Sequence, residues 1–170
     1  MSYTIRNAEK ADKDRIMQIY SSARRRMAEG GNPDQWGNVT PAEALVDEDL
    51  EARRNYVVCR GEDICGVFAL FSEPDPTYAY IEGPGWLSDW PYLTIHRIAR
   101  DDSSRGVFNA VLEYVGGFGK DIRIDTHRDN APMLHILRSK GFKECGTIYL
   151  ANGSPRIAFQ KTAEEQARSE

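Results

Sequence analysis

The sequence predicts an α+β fold around a mixed β-sheet, and three observations carry that reading. Two strand-like runs, Tyr92 to Ala99 and Ile122 to Thr126, are separated by a helical pattern, so they can lie parallel through a right-handed crossover. Two further pairs of strand-like runs are joined by Gly61-Glu62-Asp63 and by Asn152-Gly153, and such hairpins are antiparallel. At 170 residues the chain is long enough to bury a sizeable core without disulfide or metal staples.

Taken in order, Tyr3 to Arg6 reads as a short strand. Asp12 is placed to cap a helix in which Ile16, Ile19, Tyr20, Ala23 and Met27 recur at helical spacing. Arg24, Arg25 and Arg26 suit the negative end of that helix dipole, a reading preferred to a phosphate patch. Glu29 to Val39 is a loop of turn formers around Trp36. Thr40-Pro41-Ala42-Glu43 has the form of a capping box with proline at the first helical position, and its helix should reach Arg54. The first hairpin pairs Tyr56 to Arg60 with Ile64 to Phe71. Ser72 to Pro91 is irregular, with a brief strand expected at Tyr78 to Ile81. Gly106 to Phe118 carries the helical stripe Val107, Ala110, Val111, Tyr114 and Phe118. Asn130 can cap a short helix from Ala131 to Lys140, with Pro132 in its first turn and Gly141 to end it. Strands Lys143 to Tyr149 and Arg156 to Gln160 close the pattern. Residues 1–161 are expected to form one domain and residues 162–170 a polar, frayed tail.

The formal charge of −4 argues against a general nucleic-acid role. No long apolar run or N-terminal signal pattern is present, so no membrane partner and a cytoplasmic location are expected. Cys59, Cys65 and Cys145 are odd in number and lack metal-ligand spacing, which favours core thiols over a disulfide or a nucleophile. Asp125, His127 and Asp129 alternate, but no further ligand cluster accompanies them and no metal is expected.

Two passages have the form strand–loop–helix. In Arg100-Asp-Asp-Ser-Ser-Arg-Gly106, hydroxyls, Arg105 and the N–H groups around Gly106 suit a phosphate or pyrophosphate. Taken alone, a structural turn is the preferred reading of that loop. The element order, this loop and the Asn130 to Gly141-Phe142 segment together resemble the GNAT family of acetyl-coenzyme A-dependent N-acetyltransferases. Ile95-His-Arg-Ile-Ala99, Ile124-Asp-Thr-His127, Cys145-Gly-Thr-Ile148, Arg156-Ile-Ala-Phe159 and the Gln35-Trp36 pair are similar to a bacterial, small-molecule-type subgroup. The resemblance spans roughly Tyr3 to Lys161.

The resemblance implies a GNAT-like, largely antiparallel sheet of about seven strands with helices on both faces, splayed between the fourth and fifth strands. It implies acetyl-CoA as co-substrate, held by the backbone of Ile98, Ala99 and Arg100. The pyrophosphate would sit on Ser103, Ser104, Arg105, Gly106 and Val107, with Asn130 and Met133 on the other wall. Two departures stand out. The usual glycine-rich loop is matched only by Ser103, Gly106 and Phe108, and Leu137 occupies the place where many members carry a tyrosine that protonates the leaving thiolate.

The implied reaction is direct attack of a primary amine of a small molecule on the thioester. His96 is the candidate base, because imidazole titrates where base work at neutral pH needs it; a packed, satisfied histidine is an equal reading. Trp36, Tyr80 and Glu82 are candidate acceptor contacts, since aromatic walls with a carboxylate suit an ammonium, although such rings also pin loops. Protein lysine or N-terminal acetylation and a non-catalytic CoA-binding module stay open as alternatives. Relatives in the family often dimerise, so a homodimer is among the expected states.

Overall fold

The computed structural model describes residues 2–168. Seven strands form one mixed sheet in the order β1-β2-β3-β4-β5-β7-β6. They are β1 (Thr4–Asn7), β2 (Asn55–Arg60), β3 (Asp63–Phe71), β4 (Tyr92–Arg100), β5 (Asp121–Thr126), β6 (Lys143–Tyr149) and β7 (Pro155–Lys161). The helices are α1 (Lys13–Glu29), α2 (Glu43–Glu51), α3 (Val107–Gly116), α4 (Ala131–Ser139) and α5 (Ala163–Arg168). The chain clusters into two compact units, one of residues up to Leu70 with His96–Tyr114, the other of Phe71–Ile95 with residues from Val115 onward. The first half of β4 thus belongs to one unit and its second half to the other.

In the first unit β2 pairs antiparallel with both β1 and β3, as the hairpin predicts. The core under these strands is built from Ile16, Ile19, Tyr20 and Ala23 of α1, Val46 and Leu50 of α2, and Val57, Val67 and Ala99 of the sheet. The α1 residues are the periodic stripe of the sequence, buried as far as Ala23 with Met27 half-buried, and that burial stabilises a helix of modest propensity. Asp12 does not use its side chain as the expected cap. It accepts instead from the Glu9 N–H at 2.8 Å and pairs with Arg6 at 2.8 Å. The predicted capping box at Thr40 is also absent: α2 starts at Glu43, two residues beyond Pro41, and stops at Glu51. Cys59 and Cys65 are buried free thiols, and Cys59 is registered with Ile64 rather than with Cys65.

In the second unit the parallel β4–β5 ladder runs only from Tyr92↔Asp121 to Thr94↔Arg123, while β5 pairs with β7 along its length from Ile122 to Thr126. No strand forms at Tyr78 to Ile81. A 3-10 turn occupies Pro76–Tyr78, capped by Asp75, and one isolated bridge joins Glu82 to Thr147. Tyr78, Ile148 and Ala158 form a small core with Trp86 and Tyr92 against it. There the buried Arg123 guanidinium lies 4.1 Å from the Trp86 ring centroid and 4.0 Å from that of Tyr92, and donates to Ser88 O at 2.9 Å. These aromatics hold the irregular 72–91 segment to β5.

The C-terminal residues expected to fray instead make α5. Thr162 and Glu165 cap each other, Thr162 N–H to Glu165 Oε1 at 3.1 Å and Glu165 N–H to Thr162 Oγ1 at 3.2 Å. That is a capping box, readable as Thr162-x-x-Glu165. The last two residues of the expected tail, 169 and 170, lie outside the described residues. Among the described residues no helix is long and apolar enough to cross a membrane.

Candidate functional site

The passage from β4 to α3 lies within the first unit and is assembled from charged groups. Asp101 starts the turn: its N–H donates to Cys65 O at 2.9 Å. Its carboxylate accepts from the N–H groups of Ser103 (3.2 Å) and Ser104 (2.7 Å), and Arg15 Nη2 lies 3.3 Å away. Those two amides therefore serve the turn. Asp102 meets Arg25 Nη2 at 3.2 Å, Ser22 Oγ at 3.1 Å and Arg26 Nη1, and Arg26 Nη2 donates to Arg100 O at 2.6 Å. Arg25 and Arg26, expected to be a solvated helix end, are thus ties between α1 and the loop. At its far end the Tyr3 hydroxyl donates to Arg105 O at 2.6 Å.

Two features of this loop suit an anion. The Ser104 side chain is fully buried (0% exposed), and its hydroxyl has no hydrogen-bond partner among the described residues. A buried polar group without a partner is costly unless something completes it. Gly106 has φ +75°, with open space where a Cβ would sit, directly before the free N–H groups of the first turn of α3. Val107 is buried against Gly66 of β3, where a Cβ would stand 2.5 Å from Val107 Cγ1 and 3.1 Å from Ala99 O. Only glycine lets α3 start so close to the strand. Arg15, Arg25, Arg26, Arg100 and Arg105 outnumber Asp101 and Asp102 around the turn, so the local charge is positive.

Upstream, Ile98 and Ala99 are buried, and His96 and Arg100 are half-buried. Burial, with the neighbouring Arg26 charge, lowers the Arg100 guanidinium from its ordinary value. Between His96 and Ile98 the backbone leaves the extended region: Arg97 has φ +54°. Strand alternation does not carry across such a residue, so the period of two gives His96 and Ile98 no common face.

In the second unit Asn130 caps α4 as expected, its Oδ1 accepting from Met133 N–H at 3.2 Å, and Met133 and Leu137 are buried. Asp125 accepts from the Tyr78 hydroxyl at 2.6 Å and His127 Nδ1 from the Asp129 N–H at 3.1 Å. Among the described residues no group of three His, Cys, Asp or Glu could hold a metal. Cys145 is buried, and burial pushes its thiol up, away from the thiolate a nucleophile needs.

The candidate acceptor residues separate. Trp36 packs edge-on to Tyr20 at 5.6 Å, where it pins its loop to the first unit's core. Tyr80 is 64% exposed. Glu82 exchanges two backbone bonds with Thr147, at 2.9 and 2.8 Å, facing Gly146, whose φ of +142° and missing Cβ make room for the Glu82 carbonyl. The Glu82 carboxylate, hydrogen-bonded to the Tyr149 hydroxyl, pushes that phenol above its ordinary value. Tyr149 was not singled out in the sequence; it is an outward residue of a strand, and only the Glu82 bridge reveals it.

The chain was compared with known proteins. No protein-family model and no curated protein matches it. Among solved structures it is similar to a GNAT-family acetyltransferase from Streptococcus agalactiae, with 30% identity, a TM-score of 0.86, and 94% of this chain and 95% of that one covered. The chain belongs to the GNAT family of acetyltransferases. Two more distant likenesses show the fold alone. One is an acetyltransferase from Salmonella typhimurium solved with acetyl-CoA (15% identity, TM-score 0.64, coverage 97% and 96%). The other is a ribosomal-protein-alanine N-acetyltransferase from Brucella melitensis (18%, 0.63, coverage 94% and 99%). In this GNAT chain the short parallel β4–β5 ladder and the antiparallel β1–β2, β2–β3, β5–β7 and β6–β7 pairs make the mixed, largely antiparallel sheet that the sequence led one to expect.

Proposed function

We propose that this GNAT acetyltransferase moves the acetyl group of acetyl-CoA to the primary amine of a small molecule. The observation that supports the donor assignment is the buried, unpartnered Ser104 hydroxyl beside the N-terminus of α3, in a positively charged turn. Ser103, Ser104, Arg105, Gly106 and Val107 are the proposed pyrophosphate contacts. With the Ser103 and Ser104 amides taken by Asp101, the Ser104 hydroxyl and the N–H groups from Gly106 onward carry that work. Ile98, Ala99 and Arg100 are the proposed backbone contacts to the thioester arm, where an amide N–H polarises the carbonyl as charge develops on its oxygen.

His96 is the proposed base that takes the proton from the attacking ammonium, directly or through water. The amine nitrogen bonds to the thioester carbon, and the carbon–sulfur bond breaks with its electron pair on sulfur. Leu137 is buried and aliphatic, so the departing thiolate takes its proton from water. For the acceptor, Glu82, hydrogen-bonded to the Tyr149 hydroxyl, is the proposed partner of the ammonium, with Tyr80 as an aromatic contact.

The test is a panel of primary amines and alanine-terminated peptides, followed by free-thiol release from acetyl-CoA. Turnover with a small amine is expected. Turnover confined to peptides would replace the small-molecule assignment, and a melting temperature indifferent to acetyl-CoA would overturn the donor.

A further inference from the structure

We infer that Tyr20 and Asp49, which lie in α1 and α2, are positioning residues for acetyl transfer, acting through Arg97 on the amide of Ile98. The inference rests on acetyl-CoA being the donor.

Arg97 adopts φ +54°, a left-handed conformation that crowds the Cβ of an L-residue and that glycine would adopt freely. A strand residue stays there only when its surroundings over-determine it. Here two buried groups do so. Asp49, fully buried, accepts from Arg97 Nε through Oδ2 and from Arg97 Nη2 through Oδ1, both at 2.9 Å. Oδ1 also takes Arg54 Nε at 2.7 Å, so both carboxylate oxygens are engaged by guanidinium groups. The Tyr20 hydroxyl, equally buried, donates to Arg97 O at 2.8 Å, and burial raises the phenol so that it remains a donor. The side chain is clamped at one end and the carbonyl at the other.

The carbonyl of Arg97 and the N–H of Ile98 belong to one planar trans peptide and point in opposite directions. Holding the carbonyl on Tyr20 therefore aims the Ile98 N–H away from the α1 core. Asp49 holds the residue whose φ makes that orientation compatible with the strand on either side. Ile98 N–H is one of the amides proposed above to polarise the thioester, so the two buried side chains fix the direction of a donor they do not touch. An arginine rather than a glycine at position 97 is accounted for in the same way, because glycine has nothing for Asp49 to grip.

The readout is the infrared carbonyl stretch of bound acetyl-CoA, isotopically labelled at the thioester carbonyl, with calorimetry on the same samples. The wild-type chain should shift the stretch to lower frequency. Tyr20→Phe, which keeps the ring and hence the core, and Asp49→Asn should each lose more than half of that shift while Kd stays within about threefold. Adding Arg97→Gly to Asp49→Asn should restore part of it, because glycine adopts the conformation without steric cost; a purely structural role predicts no such rescue. A full shift retained in folded Tyr20→Phe and Asp49→Asn would overturn the inference. Failure of the wild-type chain to bind acetyl-CoA would overturn the donor assignment instead.

Discussion

The chain leaves β5 for α4 and β4 for α3 through passages of similar form, but they satisfy their polar groups in different ways. After β5, whose last residue Thr126 also has a buried hydroxyl without a hydrogen-bond partner among the described residues, His127 accepts from the Asp129 N–H and Asn130 caps the Met133 N–H, so residues 127–130 are answered by their own side chains. After β4, Asp101 shapes the loop, arginines from α1 hold it from outside, Arg97 is strained, and the Ser104 hydroxyl is left without a partner. A turn that closes on itself is scaffold. One that keeps a buried hydroxyl unanswered beside a helix N-terminus is the proposed ligand site, and mutations should tell the two apart by opposite signatures.

The largest effect is expected where the β4–α3 passage is seated on the sheet. Gly66→Ala puts a methyl against Val107 and Ala99 O and should cost about 1–3 kcal/mol, read as a lower denaturant midpoint at unchanged slope. Ser104→Ala should leave stability unchanged or raise it, because it removes an unsatisfied buried hydroxyl. Acetyl-CoA affinity should fall about tenfold by calorimetry, the loss of roughly one hydrogen bond to a charged group. Equal affinity in that variant would break the comparison. Asn130→Ala should do the reverse on the stability axis, losing about 1 kcal/mol as a cap while Asn130→Asp keeps it. The smallest effect concerns pH. Arg6, bonded to Asp12, holds that carboxyl below its ordinary value. The resulting stability is fully present above the ordinary carboxylate range and is lost as pH falls through the depressed folded value. Acid unfolding of Asp12→Asn should therefore be less steep there than that of the wild-type chain.

The same contrast explains what could be read in advance. Asn130 with Pro132 and Gly141 is a local signal, and α4 begins at Ala131 as predicted. Strand β6 spans Lys143 to Tyr149 as predicted, although a bulge between Glu144 and Gly146 interrupts its alternation. Thr162-x-x-Glu165 was equally local but was passed over for the polarity around it. Arg97 had no local signal at all: its residue type suits a strand, and what bends it sits on Tyr20 and Asp49, far away in sequence. Arg25 and Arg26 looked like a helix end because their partners, Asp102 and Arg100 O, lie in a distant loop. The buried Ser104 hydroxyl likewise follows from packing, not from spacing.

The bond from the Tyr3 hydroxyl to Arg105 O joins groups 102 residues apart. During synthesis the first strand leaves the ribosome long before its partner exists, and closing so long a stretch of chain carries an entropic cost that local helices do not. The β4–α3 loop should therefore mature late in folding, after α1 and the β2–β3 hairpin have formed. In pulse-labelled hydrogen exchange the amides from Ser103 to Val107 should gain protection after those of Ile16 to Ala23.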